Sequence, residues 1–202
     1  MKIIKKKDIN IILEDINKNN FATIFGKGPT FKILEKEKNE FRICINQSSN
    51  LSPDIDMIAI NDLHNIYKIH DCVYNKLKYL LIPEYLHKEK TGREKEYYSI
   101  ILKYLQDKFF GNLIIYNLKT TKQKNEELID LFSVSSSGNT AVDFICEQTK
   151  IKKIELYGIA VEGDNYHSEF IGNGYYKKNL IRFMKNYINF ICEKYNVTYK
   201  LN

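Results

Sequence analysis

Apolar positions along this chain recur with two periods, and the changes from one to the other mark out its elements. Residues 8–19 place Ile9, Ile11, Ile12, Leu13 and Ile16 on one side, which predicts a short amphipathic helix. Residues 21–25 form a compact apolar run that ends in Gly26-Lys27-Gly28-Pro29-Thr30, so a strand running into a glycine turn is expected there. Thr30 then fits the N-cap of a helix over residues 31–38. Residues 41–46 and 55–61 read as two further strands, ending in Asn46-Gln47-Ser48-Ser49 and in Asn61-Asp62.

A less regular insertion follows at about residues 63–92, with a strand expected at 77–82. Beyond it come a helix over 94–110 and a strand over 112–118. Ser135-Ser136-Ser137-Gly138-Asn139-Thr140 opens a helix that runs through 149, and 153–160 is an apolar strand. A long helix over 175–195 and a strand over 197–201 complete the order. Strands alternating with helices predict an α/β fold: one Rossmann-like domain over 1–202, its mainly parallel sheet flanked by helices.

Composition narrows the function classes. The apolar runs fall far short of the roughly 20 residues that cross a bilayer. The lysine-rich start is interrupted by Asp8, Glu14 and Asp15 and shows no small-residue cleavage site, so a cytoplasmic protein is expected. Cys44, Cys72, Cys146 and Cys192 are widely spaced, which suggests reduced, mostly buried thiols and neither a zinc site nor a disulfide framework. The formal charge is +6, but it comes almost wholly from lysines interleaved with Glu and Asp; only Arg42, Arg93 and Arg182 are arginines. That pattern speaks for a solvated surface and against nucleic acid as a partner. A modest positive field also suits a nucleotide-sugar or a peripheral position at an anionic inner membrane.

The candidate chemistry lies where strands end. Glycines at 26 and 28 let a backbone approach a ligand, or they simply make a tight turn. Asn46 and Asn61 offer donor and acceptor together, which suits a ribose or a base edge; each is also a common loop residue. Serines at the head of a helix bring hydroxyls to free N–H groups, an anion site or an ordinary cap. Of the histidines, His64, His70 and His87 have no ligand-like spacing and suit surface or packing roles. His167 lies beside Asp164 and Glu169 in a loop after a core strand, where an imidazole can take a proton from a hydroxyl. No carboxylate pair stands at metal spacing, so no metal site is expected.

In order, Gly26-Lys27-Gly28-Pro29-Thr30, Cys44-Ile45-Asn46-Gln47, Asn61, Ser136-Ser137-Gly138 and the strand residues 153–160 resemble the motifs of the bacterial sialyltransferases of glycosyltransferase family 42. The resemblance implies a metal-independent, inverting transfer of a nonulosonic acid, sialic acid or similar, from a CMP-activated donor to a glycan acceptor, with no further cofactor. It implies that Gly26, Lys27, Gly28, Asn46, Gln47, Asn61, Ser136, Ser137 and Gly138 line the donor pocket. It further implies a histidine base, for which His167 is placed, and tyrosines at the departing phosphate, for which Tyr157 and Tyr166 stand first and Tyr175 and Tyr176 are also at hand. Lys27 stands where the family has asparagine, and Ala160 where it has aspartate. Two other readings stay open: an ATP- and Mg²⁺-dependent pyrophosphokinase-like enzyme with Asp62 at its metal, and a nucleotide-binding module without turnover. A homo-oligomer is compatible with each.

Overall fold

The computed structural model describes residues 1–84, 94–119, 124–131, 136–160 and 178–202. Within them the chain forms β1 (Lys2–Ile4), α1 (Ile9–Ile16), β2 (Phe21–Phe25), β3 (Glu40–Ile45), β4 (Met57–Ala59), α2 (Asp71–Tyr74) and β5 (Tyr79–Pro83). It continues with α3 (Glu94–Lys108), β6 (Asn112–Leu118), β7 (Ile129–Leu131), α4 (Ser137–Gln148), β8 (Lys153–Tyr157), α5 (Lys178–Tyr195) and β9 (Thr198–Leu201).

The strands join one nine-stranded sheet in the order β1-β6-β5-β4-β3-β2-β8-β9, and all its pairings are parallel. β1 lies against residues 112–114 and β7 against residues 116–118, so they share the outer edge of β6 end to end. From β2 the chain steps one way through β3, β4, β5 and β6, and β8 then pairs the opposite side of β2. The strand order therefore reverses between β2 and β8, and α/β sheets bind ligands beyond the carboxyl ends of strands at such a point.

Apolar side chains alternate between the two faces, as a fully buried parallel sheet requires. Ile24, Ile43, Met57, Ala59 and Leu156 meet Ile12 and Ile16 of α1, Phe144 and Ile145 of α4, and Ile188 and Ile191 of α5. On the other face Ile58, Leu80, Ile82 and Leu113 pack with Ile101, Leu105 and Phe109 of α3.

Two expectations from the sequence are corrected. Residues 31–38 form no helix, and Thr30 caps none: its hydroxyl accepts the N–H of Gly158 at 2.9 Å. The reason is Arg42, whose side chain is 1% exposed. Its guanidinium donates to the carbonyls of Leu34 (2.7 Å), Glu35 (2.9 Å) and Pro53 (3.1 Å) and to both carboxylate oxygens of Glu40 (2.8 and 3.0 Å). Carbonyls that a helix would pair internally are thus held by one side chain, and the segment stays extended. The second correction is that β1 and β7, three residues each, are strands where none was expected. Within the irregular insertion a 3₁₀ helix (Leu63–Lys68) and α2 precede β5, while residues 85–93 lie outside the described residues. Among the described residues no helix is long and apolar enough to cross a membrane.

Candidate functional site

At the carboxyl edge of the sheet the glycine turn after β2 closes onto β8. Gly26 N–H donates to Tyr157 O at 2.7 Å and Gly28 N–H to Gly158 O at 2.9 Å. A Cβ on Gly26 would lie 2.4 Å from the Gly158 oxygen, and one on Gly28 2.7 Å from it. Only glycine lets the two backbones meet, and Gly158 itself has φ +63°. The N–H groups of Gly26 and Gly28 are therefore spent on the carbonyls of Tyr157, the last residue of β8, and of Gly158 after it.

Beyond β3, Asn46 adopts the left-handed region at φ +53° and starts a 3₁₀ turn (Asn46–Asn50). Ser48 ties this turn to both strand ends: its hydroxyl donates to Phe25 O at 2.7 Å and accepts Ile45 N–H at 2.9 Å. The Lys27 ammonium donates to Gln47, Nζ to Oε1 at 2.8 Å. Burial, with the charge of Lys68 second, pushes the Lys27 ammonium below its ordinary range. An anion beside it would offset both effects.

Asn61, after β4, is the most constrained group of the edge. Its residue is 3% exposed. The hydroxyls of Tyr116 on β6 and Thr140 on α4 both donate to its Oδ1 at 2.9 Å, and its own N–H donates to Ser137 Oγ at 2.9 Å. With Oδ1 turned to these two hydroxyls, Nδ2 is left buried without a hydrogen-bond partner among the described residues. Asn46 Oδ1 is in the same condition. Buried amide atoms of this kind call for a ligand or a water.

α4 starts beside Asn61. Ser136 caps it, accepting Asn139 N–H at 3.1 Å, and Thr140 N–H reaches Ser136 O at 3.0 Å. The N–H groups of Ser137 and Gly138 stand ahead of any intrahelical acceptor, at the positive end of a twelve-residue helix. Gly138 is close to Ile159: a Cβ there would lie 3.1 Å from that side chain.

The structure thus brings Lys27, Asn46, Gln47, Asn61, Ser136, Ser137 and Gly138 to one edge, with Gly26 and Gly28 as its backbone support. Tyr157 ends β8 at the same edge, but its ring stacks on Phe25 at 5.3 Å and its hydroxyl turns back toward Glu155, 3.4 Å away. His167 and Tyr166 lie outside the described residues, as do Asp164, Glu169, Tyr175, Tyr176, His87 and Ser135. Sequence reasoning missed Tyr116, Thr140 and Ser48. Tyr116 sits in an apolar strand and nothing local marks it as the partner of an amide 55 residues away. Among the described residues no group of three or more His, Cys, Asp or Glu could hold a metal ion.

The fold defines a Rossmann-like α/β protein with a cluster of polar side chains at the carboxyl edge of its sheet, beside the topological switch point. No protein-family model matches the chain, and no curated protein or solved structure matches it.

Proposed function

We propose that this chain is a glycosyltransferase that moves a nonulosonic acid, such as sialic acid, from a CMP-activated donor to a hydroxyl of a glycan acceptor. The reading rests on the motif resemblance, and one observation carries it further: Asn61 and Ser137, from two separate motifs, meet at 2.9 Å beside a buried amide N–H that has no partner among the described residues. In this reading Asn61 Nδ2 and Asn46 Oδ1 address the nucleoside with one donor and one acceptor. The first turn of α4 and Lys27 hold the phosphate, and Tyr166 takes the role that the resemblance gives a tyrosine there, since Tyr157 is turned to Phe25 and Glu155. Gly26 and Gly28 shape the pocket wall through their contact with Gly158.

The transfer is inverting and needs no metal. His167 takes the proton of the acceptor hydroxyl, the acceptor oxygen attacks the anomeric carbon, and CMP departs with the electron pair of the broken bond. Positive charge placed before the reaction at the phosphate stabilises the leaving group as its charge grows.

Thermal denaturation with CMP, CTP or ATP, each with EDTA and with Mg²⁺, tests this. At a hundredfold excess over Kd, CMP with EDTA should raise Tm by about 5 °C or more. The wild-type protein should then release CMP from CMP-sialic acid, and His167→Ala should lose most of that turnover. Stabilisation by ATP with Mg²⁺ alone would replace this reading by the pyrophosphokinase-like one. CMP binding without donor turnover would leave a nucleotide-binding module.

A further inference from the structure

We infer that Lys68 is a specificity-determining residue of this site, its ammonium pairing with the carboxylate that a nonulosonic acid carries at its anomeric carbon while Lys27 meets the phosphate. The inference rests on the reading that a CMP-activated nonulosonic acid binds here, and it names a residue that the motif resemblance does not supply.

Both lysines are tied to one short turn. The 3₁₀ turn Asn46–Asn50 follows β3, and its second residue, Gln47, accepts the Lys27 ammonium at 2.8 Å. Three residues on, Asn50 spends both ends of its amide on the close of the 3₁₀ helix Leu63–Lys68. Its Nδ2 donates to Lys68 O at 3.0 Å, and its Oδ1 accepts the N–H of His70 at 3.0 Å. Side chains three apart in a 3₁₀ helix lie one above the other, so Gln47 and Asn50 share a face of the turn. The Lys27 ammonium and the backbone of Lys68 are therefore held against the same face, on the turn that begins with Asn46.

Charge agrees with that placement. Lys68 is exposed, and no ion pair engages it among the described residues. Its charge is the second influence, after burial, that pushes the Lys27 ammonium below its ordinary range. Two like charges held near one another are relieved by bound anions, one for each.

The proposed donor has the matching pair. In a CMP-activated nonulosonic acid the anomeric carbon bears both the phosphate oxygen and a carboxylate, so two anionic groups are joined to one carbon. A sugar without that carboxylate offers the phosphate alone. A second ammonium beside the one at the phosphate thus separates the two donor classes without touching the nucleoside. Asn50 is a positioning residue that acts through the backbone of residues 68–70.

The test uses the full chain and the variants Lys68→Met, Lys68→Arg and Asn50→Ala, each checked for unchanged circular dichroism. Calorimetry with EDTA at about 0.15 M salt compares CMP with CMP-3-fluorosialic acid, an analogue that keeps the carboxylate and resists transfer. The wild type should bind the analogue more tightly than CMP. Lys68→Met should weaken the analogue about fivefold and CMP about twofold at most. Lys68→Arg, which keeps the charge, should retain most of the preference, and Asn50→Ala, which releases the backbone of residues 68–70, should lower it. In the ligand-free protein, Lys68→Met should raise the Lys27 pKa, followed by NMR of its side chain, because a like charge is gone. Equal weakening of CMP and the analogue overturns the inference, since Lys68 would then supply only a general field. An unchanged Lys27 titration overturns it too, because the two cations would not be neighbours. A wild type that binds CMP with no preference for the analogue removes the carboxylate contact and leaves a nucleotide site. Failure of the wild type to bind CMP brings down the CMP-sugar reading itself, and this inference with it.

Discussion

The carbonyl oxygen of Gly158 accepts the N–H of Gly28 at 2.9 Å, and with the Gly26 N–H on Tyr157 O this contact joins the turn after β2 to the end of β8. It lies where the strand order reverses. Gly158→Ala would force a side chain into φ +63°, with a Cβ 2.8 Å from Gly28 N. We expect a loss of about 2 kcal/mol or more, read as a lower urea midpoint. An unchanged midpoint would show that the two backbones are not bound to this approach.

Arg42 and Glu40 form a buried ion pair in which all five guanidinium donors are engaged. Arg42→Met leaves the Glu40 carboxylate buried without its counter-charge and releases three carbonyls of the 31–39 and 53 segments. The expected cost is about 3–5 kcal/mol in chemical denaturation. Arg42→Lys should recover little of it, because an ammonium cannot reproduce the planar fork. A Lys variant as stable as the wild type would refute the role given to Arg42 in keeping residues 31–38 extended.

Tyr116 and Thr140 share the orientation of Asn61, so their effects should separate binding from stability. Tyr116→Phe removes one donor from Asn61 Oδ1 and should cost about 1 kcal/mol of stability. Asn61→Ala removes the amide itself, and CMP should then no longer shift Tm under conditions where it stabilises the wild type. Equal CMP affinity in Asn61→Ala and wild type would take Asn61 out of the site.

At the opposite edge of the sheet, Tyr79 donates to Asp15 Oδ2 at 2.9 Å. That bond is the largest influence on the Asp15 carboxyl; together with Lys18 and against burial, it holds the group below its ordinary value of 3.8. A carboxylate depressed in the folded state contributes stability above the unfolded value of 3.8, and loses it as pH falls through the lower folded value. Tyr79→Phe should therefore cost about 1 kcal/mol near pH 6 and far less near pH 2. Denaturation midpoints of both proteins at the two pH values check this, and an equal difference at both would rule out the linkage.

The sequence by itself determined the order of elements that matters most. The apolar runs at 21–25 and 112–118 match β2 and β6, because a strand buried on both faces leaves a run of apolar residues that needs no knowledge of its neighbours, and the strand expected over 153–160 is β8, which stops at Tyr157. The same pattern placed Asn46, Asn61 and Ser136-Ser137 at strand ends and a helix head, hence at one edge once the strands are parallel. Tertiary structure decided the rest. Residues 31–38 carry helix-forming side chains, yet Arg42 draws their carbonyls away, and its own carboxylate partner is Glu40. β1 and β7 are too short to leave a periodic signal and exist because β6 offers them an edge. The orientation of the Asn61 amide depends on Tyr116 and Thr140, 55 and 79 residues along the chain, and the ring of His64 depends on Tyr97. Local pattern records which face a residue must bury; a hydrogen bond between distant side chains leaves no such record, because only the packing of the sheet and its helices brings the two partners together.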